Sequence, residues 1–437
     1  MQRYSISILL ASAMLIAGCG GSSTGSTSSS STNGGTGSST SNVMTISVNG
    51  GPTANQLDGG NYVNAAFASA TICVPGTTNC VTVGGLLVDT GSTGLRVLQS
   101  AVSSLNLPSA NASNGSAAYD CVSYVDGSYQ WGPVQKADVT LGSEIASSLP
   151  IQVVSSSSAA PSSCSNGSTT AANTLATLGA NGILGVGSEP TDCYYEGASA
   201  CSPTSGLSSA PSPAYYTCSG TNCTPAFVAT SDQVTNPVVL FPTDNNGVIV
   251  ELPAVSGNAA SVSGSLVFGI GTESNNQLPS SATIFTLTCD DFTTTFDGHT
   301  YGITNSNTCS GPGSFIDSGS NGLYFPNAAS LPLCPSNTAA GDLSSFYCPA
   351  STESLSATQL GANGASKSTS FNVANAETLF TTTSTENDAA MSGLAGTNPS
   401  GVGFDWGLPF FYGVNMYSSI DGKSTPSGTP AAPWWAH

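Results

Sequence analysis

Two stretches of the chain repeat one another. Residues 87–97 read LVDTGSTGLRV and residues 315–325 read FIDSGSNGLYF, so without a gap Asp89 falls on Asp317, Thr90 on Ser318, Gly91 on Gly319 and Ser92 on Ser320. Apolar residues precede each aspartate, which predicts a carboxylate at the end of a buried strand; the glycine that follows lets the chain turn sharply. A second element recurs too: Gly182-Ile183-Leu184-Gly185 follows Asp89 at a distance similar to that of Trp406-Gly407-Leu408-Pro409 after Asp317. The duplication predicts two similar lobes related by a pseudo-twofold axis, which would set the aspartate turns face to face. Carboxylates held that close do not both ionise: they share a proton, and their apparent pKa values split. One can then serve as general base while the other serves as general acid.

The elements that must hold these turns read as β-strands. The chain is rich in Gly, Ser and Thr, short apolar runs recur between turn signals, and no long helical heptad pattern occurs, so an all-β fold is expected. At 437 residues it can build one large two-lobed domain. Charge is sparse and one-sided: Arg3, Arg96, Lys136, Lys367 and Lys423 are the only basic residues, and the formal net charge is −19. Such a chain repels phosphate backbones, which argues against a nucleic-acid partner. A Ser-His-Asp hydrolase needs a positioned histidine, but His299 lies in a turn-like Asp-Gly-His-Thr and His437 is the last residue. There is no phosphate-binding Gly-x-x-x-x-Gly-Lys-Ser/Thr loop and no Cys-x-x-Cys, so no cofactor and no metal is expected.

The N-terminus reads as a targeting segment. Arg3 precedes a short apolar stretch, Ile8 to Ala17, too short to span a bilayer comfortably. It ends in Leu15-Ile16-Ala17-Gly18-Cys19, which resembles the bacterial lipobox. That resemblance implies a signal peptide at residues 1–18, lipid on the Cys19 sulfur, and Gly20 directing the protein to an outer membrane, with the domain facing the periplasm or the surface. Residues 19–42, mostly Ser, Gly, Thr and Asn, cannot bury a core and read as a tether to the membrane. Setting Cys19 aside leaves 12 of the 13 cysteines, an even number suited to an oxidising compartment. Local spacing suggests the pairs Cys73–Cys80, Cys121–Cys164, Cys193–Cys201, Cys218–Cys223, Cys289–Cys309 and Cys334–Cys348.

The motif series resembles the pepsin-like aspartic proteases, whose two catalytic aspartates sit in apolar-apolar-Asp-Thr/Ser-Gly-Ser/Thr turns, one per lobe. Asp89-Thr90-Gly91-Ser92 and Asp317-Ser318-Gly319-Ser320 both match. In the family's order, Tyr124-Val125-Asp126-Gly127-Ser128 is similar to the flap hairpin, Asn181 to Val186 to the first apolar-Gly element, Gly264 to Gly269 to the strand before the lobe crossing, Phe285 to Gly298 to the strands that lead to the second aspartate, and Gly407 to Asp421 to the terminal strands. The resemblance covers most of residues 44–425. It implies an all-β, bilobal pepsin-like fold, with an N-terminal lobe at 43–275 and a C-terminal lobe at 276–437. It also implies a monomeric endopeptidase acting on a polypeptide substrate through Asp89 and Asp317. By the same resemblance, Ser92 and Ser320 bond the outer carboxylate oxygens, Thr90 and Ser318 bond across the lobes, Gly91 and Gly319 present backbone N–H groups, and Tyr124, Asp126 and Gly127 form the flap.

The chain is also similar to a family of functionally uncharacterised bacterial lipoproteins that carry an Asn-Pro-Val motif, here Asn236-Pro237-Val238. Several positions depart from the protease pattern. Arg96 stands in the region of the tryptophan that supports the flap tyrosine, Val125 replaces the first flap glycine, Asn181 replaces an aspartate, and Ser-rich insertions with cysteines occupy residues 155–230. Arg96 is expected at the surface or a lobe edge. These departures keep open a second reading, a catalytically inactive envelope lipoprotein that binds a peptide or a glycan.

Overall fold

The structure is a computed structural model that describes residues 42–52, 62–165, 170–195, 198–199, 201, 214–306, 309–326, 331–338, 342–381, 388–398 and 402–437. The signal segment 1–18, Cys19 and the tether up to residue 41 lie outside the described residues. Among the described residues no helix is long and apolar enough to cross a membrane.

Strand Val43–Gly50 illustrates how the sequence makes sheet. Met44, Ile46 and Val48 alternate with more exposed neighbours, so one face enters the core. It pairs on one edge with Tyr62–Cys73 and on the other with Val262–Phe268. From there the sheet continues through Gly247–Glu251, Asn415–Ser419, Trp434–Ala436 and Ile284–Thr286, so a single 15-stranded sheet runs past residue 275.

The two Asp turns are carried by matching three-strand ladders. In the first, Cys80–Asp89 runs parallel to Gly182–Val186 with Leu87 opposite Ile183 and Asp89 opposite Gly185. Gly182–Val186 in turn lies antiparallel to Thr93–Leu98, with Arg96 opposite Ile183. In the second, Phe315–Asp317 runs parallel to Asp405–Gly407 with Phe315 opposite Asp405 and Asp317 opposite Gly407. Asp405–Gly407 lies antiparallel to Leu323–Tyr324, with Tyr324 opposite Asp405. The predominance of sheet and this duplicated ladder bear out the expectation of an all-β, pepsin-like fold.

The packing behind the ladders differs. Val88, Leu95, Val97 and Leu184 make the first an aliphatic core, whereas the second is backed by rings. Phe404 stacks on Trp406 at 4.5 Å and on Phe325 at 4.9 Å, and Phe371 meets Trp406 edge-on at 5.7 Å. Such pairs add about 0.5–1.5 kcal/mol each beyond the area they bury. All six expected disulfides form among the described residues. Cys73–Cys80 and Cys218–Cys223 join directly opposed positions of antiparallel strands. Cys121–Cys164 anchors a strand of the flap hairpin to the segment beyond it.

Candidate active site

The two Asp turns meet. Asp89 and Asp317 are fully buried, and their carboxyls lie within hydrogen-bonding reach of one another. Each is held in the same way. Gly91 N donates to Asp89 Oδ1 at 2.8 Å, and Ser92 Oγ donates to Asp89 Oδ2. Gly319 N donates to Asp317 Oδ1 at 2.7 Å, and Ser320 Oγ donates to Asp317 Oδ2 at 2.9 Å. The glycines are required by space. A Cβ on Gly91 would lie 2.6 Å from Asp317 Cγ, and one on Gly319 would lie 2.7 Å from Asp89 Cγ.

A reciprocal set of bonds ties one turn to the other. Thr90 N donates to Ser318 Oγ at 3.0 Å, and Ser318 N donates to Thr90 Oγ1 at 2.9 Å. Each hydroxyl then reaches deeper into the opposite half: Thr90 Oγ1 donates to Ile316 O at 3.2 Å, and Ser318 Oγ donates to Val88 O at 2.8 Å. All four groups are buried, where an unmade bond is costly.

Burial raises both carboxyl pKa values. For Asp89 the hydrogen bonds from Asp317, Ser92 and Gly91 oppose the rise. Asp317 is pushed well above the carboxylate range by burial, then by the charge of Asp89, then by that of Asp405. The pair therefore retains a proton that two separate aspartates would lose, and that proton belongs to the pair.

Tyr124 to Ser128 form the tip between strands Ala118–Ser123 and Tyr129–Leu141. Gly127 turns the chain at φ +83°, and Asp126 Oδ1 accepts from Ser128 N at 2.7 Å. Burial, opposed by the Ser128 bonds, pushes the Asp126 carboxyl up to about 6. Tyr124 is buried, and its hydroxyl donates to Gln130 Oε1 at 2.7 Å.

Arg96 corrects an expectation: it is not at the surface but 2% exposed. Its Nη1 bonds Asp120 and, at 2.8 Å, Gln152 Oε1, while its Nη2 bonds Asp192 Oδ2 at 2.8 Å. Asp192 also accepts from the Tyr215 hydroxyl. Arg96 enters the core because it lies on a strand whose every residue is buried, and two acids are there to meet it. One cation faces two carboxylates. Burial and the charge of Asp192 lift the Asp120 carboxyl to about 7 against the pull of Arg96.

The Asn-Pro-Val segment supports the first Asp turn from behind. Asn236 caps the short helix Pro237–Leu240 by accepting from Val238 N at 3.1 Å, and it donates to Gly187 O at 2.9 Å. Gly187 N in turn donates to Ser92 O at 2.9 Å. Asn181 donates to Gly84 O at 2.9 Å and fixes the start of the neighbouring strand.

Three further residues were not singled out in the sequence. Asn64, with φ +50°, ties its strand to distant C-terminal segments. Its Nδ2 donates to Asn321 O at 2.8 Å and Met391 O at 2.9 Å, and its Oδ1 accepts from Met391 N at 2.7 Å and the Tyr412 hydroxyl at 2.8 Å. Tyr62 is buried, and burial and then the charges of Asp126, Tyr324, Asp89 and Asp317 push its phenol pKa well up. Asp405 is fully buried beside Asp317. Aligning the second legs as well as the Asp turns would have exposed it, because Ile183 holds the corresponding place in the first ladder. Among the described residues, no cluster of His, Cys, Asp and Glu has metal-holding geometry.

Over residues 38–437 the chain matches the family described as "Protein of unknown function (DUF3443)", and it belongs to that family. Among solved structures it is similar to the aspartic proteinase from Irpex lacteus, at 18% identity and a TM-score of 0.42, over 87% of this chain and 94% of that one. A search of curated proteins returned no match.

Proposed function

We propose that the chain is an aspartic endopeptidase in which Asp89 and Asp317 activate a water molecule to hydrolyse a peptide bond. The observation that carries this reading is the buried carboxyl pair, supported identically from both turns and cross-tied through Thr90 and Ser318. In the reaction, the ionised aspartate takes a proton from water as its oxygen attacks the carbonyl carbon. The protonated aspartate gives its proton to the carbonyl oxygen, forming a gem-diol. The first aspartate then passes its proton to the amide nitrogen, the C–N bond breaks, and a gem-diol hydroxyl proton returns to the second. Acid and amine leave, and the pair regains its starting proton count. The flap residues Tyr124, Asp126 and Gly127 close over the peptide and exclude water.

We further propose that the lipobox-like segment read from Arg3 to Cys19 anchors the chain to the outer membrane of a bacterial envelope, where it acts as a monomer on a polypeptide partner. One observation favours the second reading, a non-enzymatic peptide- or glycan-binding module: Asp89 and Asp317 have no exposed surface, so a substrate reaches them only if the cleft opens.

The deciding experiment is peptide-library cleavage by the full chain from pH 3 to 7, with and without pepstatin, alongside Asp89→Asn and Asp317→Asn. Pepstatin-sensitive cleavage that both variants abolish while remaining folded is the expected result. A folded, disulfide-intact chain that cleaves nothing, or variants that still cleave, would refute the protease reading.

A further inference from the structure

A phenol buried among apolar side chains needs a hydrogen-bond partner, and Tyr124 finds one inside its own hairpin. Tyr124 is 2% exposed, and its ring belongs to the cluster that holds Leu87 and Ile183, which stand two places before Asp89 and Gly185 in the first ladder. Its hydroxyl donates to Gln130 Oε1 at 2.7 Å, and Gln130 Nε2 donates to Ala172 O at 3.2 Å. A carbonyl oxygen only accepts, so one orientation of the amide serves both neighbours. Gln130 has no exposed surface and lies opposite Val122 in the hairpin. A glutamine gives up water and rotamer freedom to be buried there, and these two bonds are what it gains. Arg96, in the region of the expected supporting tryptophan, bonds Asp120, Gln152 and Asp192 and leaves the phenol to Gln130. The connection continues into the body of the lobe. Tyr129 N donates to Thr170 O at 3.1 Å and Ala172 N donates to Tyr129 O at 2.9 Å, which docks the second hairpin strand along residues 170–172. From there Thr174 caps the short helix Leu175–Leu178, and the chain enters Gly182–Val186, the strand beside Asp89.

We propose that Gln130 is a positioning residue for the cleavage reaction: it fixes the Tyr124 phenol and, through Ala172, ties the flap tip to the segment that leads into the strand beside Asp89. Flap and carboxyl pair are thereby held in register by one ladder. This rests on the protease reading.

The test uses the full chain with Gln130→Met, which keeps the length and deletes both bonds, Tyr124→Phe, which deletes the first bond from its other side, and Gln130→Glu. When protonated, the introduced carboxyl accepts from the phenol and donates to Ala172 O as the amide does; when ionised, it has no proton to give and is set against a carbonyl oxygen. Burial raises the pKa of such a group. Relative to wild type at the same pH, kcat/KM of Gln130→Glu should be near unity at about pH 4 and fall about tenfold by about pH 6.5, while Gln130→Met and Tyr124→Phe should stay about tenfold low throughout. The double variant Gln130→Met with Tyr124→Phe should lose no more than either alone. A pH-independent ratio for Gln130→Glu, or additive losses, would overturn the positioning role and leave the protease reading intact. A second arm is independent of catalysis. Tyr124 N donates to Ser128 O at 2.9 Å and Gly127 N donates to Tyr124 O at 3.0 Å. Amides of a peptide spanning residues 124–130 should exchange about tenfold faster in Gln130→Met, while Gly182–Val186 keeps its protection. Unchanged exchange at the tip would overturn the tether. A wild type that cleaves nothing would overturn the protease reading and the catalytic half of this one, and the exchange rates would still decide whether Gln130 holds the tip.

Discussion

Replacing Thr90 by valine tests the cross-tie with little change of shape. The substitution keeps the β-branched outline and deletes the hydroxyl, so the bond that Thr90 Oγ1 accepts from Ser318 N at 2.9 Å and the one it donates to Ile316 O at 3.2 Å are both lost. Each bond contributes about 1 kcal/mol net, and the buried Ser318 N–H is left without a partner at a cost of about 1–3 kcal/mol. The reciprocal bond from Thr90 N to Ser318 Oγ survives, so the loss is confined to these terms, about 3–5 kcal/mol in total. Urea unfolding gives the stability change. Hydrogen exchange of a peptide spanning residues 315–320 localises it, because the freed Ser318 amide should lose protection. On the protease reading, cleavage should fall about a hundredfold, the effect of a displacement near 1 Å at a catalytic group. Unchanged exchange together with a stability loss under about 0.5 kcal/mol would show that the hydroxyls do not carry the junction.

Arg96→Met leaves Asp120 and Asp192 buried without their cation, and we expect a loss of about 3–5 kcal/mol at pH 8 by denaturant unfolding. The Asp120 carboxyl, already lifted to about 7, takes up a proton in acid, so the same variant should lose distinctly less at pH 4. Asn64→Gly accepts the φ of +50° and removes the side-chain bonds to Asn321, Met391 and Tyr412. It should lower stability by about 2–4 kcal/mol and raise kcat/KM for long peptides, read by unfolding and steady-state kinetics. Cys121→Ser with Cys164→Ser opens a loop of 43 residues, and the unfolding free energy should drop by about 4 kcal/mol.

The parts of the site that were legible in the sequence are those fixed by local necessity. An apolar pair before each Asp and a glycine after it specify a buried strand end and a turn, and both turns have that form. The disulfides were legible because most close short loops, such as Cys73–Cys80 and Cys218–Cys223 across adjacent strands. Arg96 was misplaced because its acids come from another strand and a turn, 24 and 96 residues away. Asn64 left no local signal, since its partners lie 257 to 348 residues along the chain. Asp405 was hidden for a different reason: the second legs share a glycine but little else, and only the strand register sets Asp405 in the place of Ile183.

The strand Val43–Gly50 also constrains how the protein comes to be folded. Its second neighbour, Val262–Phe268, lies more than 200 residues downstream, and beyond it the sheet takes in Asn415–Ser419 and Trp434–Ala436 from the far end of the chain. A ribosome or export channel delivering the chain from its N-terminus therefore releases an amphipathic strand long before that edge can be covered. High contact order slows folding, and open sheet edges recruit other chains. The loops closed by Cys73–Cys80 and Cys218–Cys223 span only 7 and 5 residues, so their formation does not have to wait for the last strands.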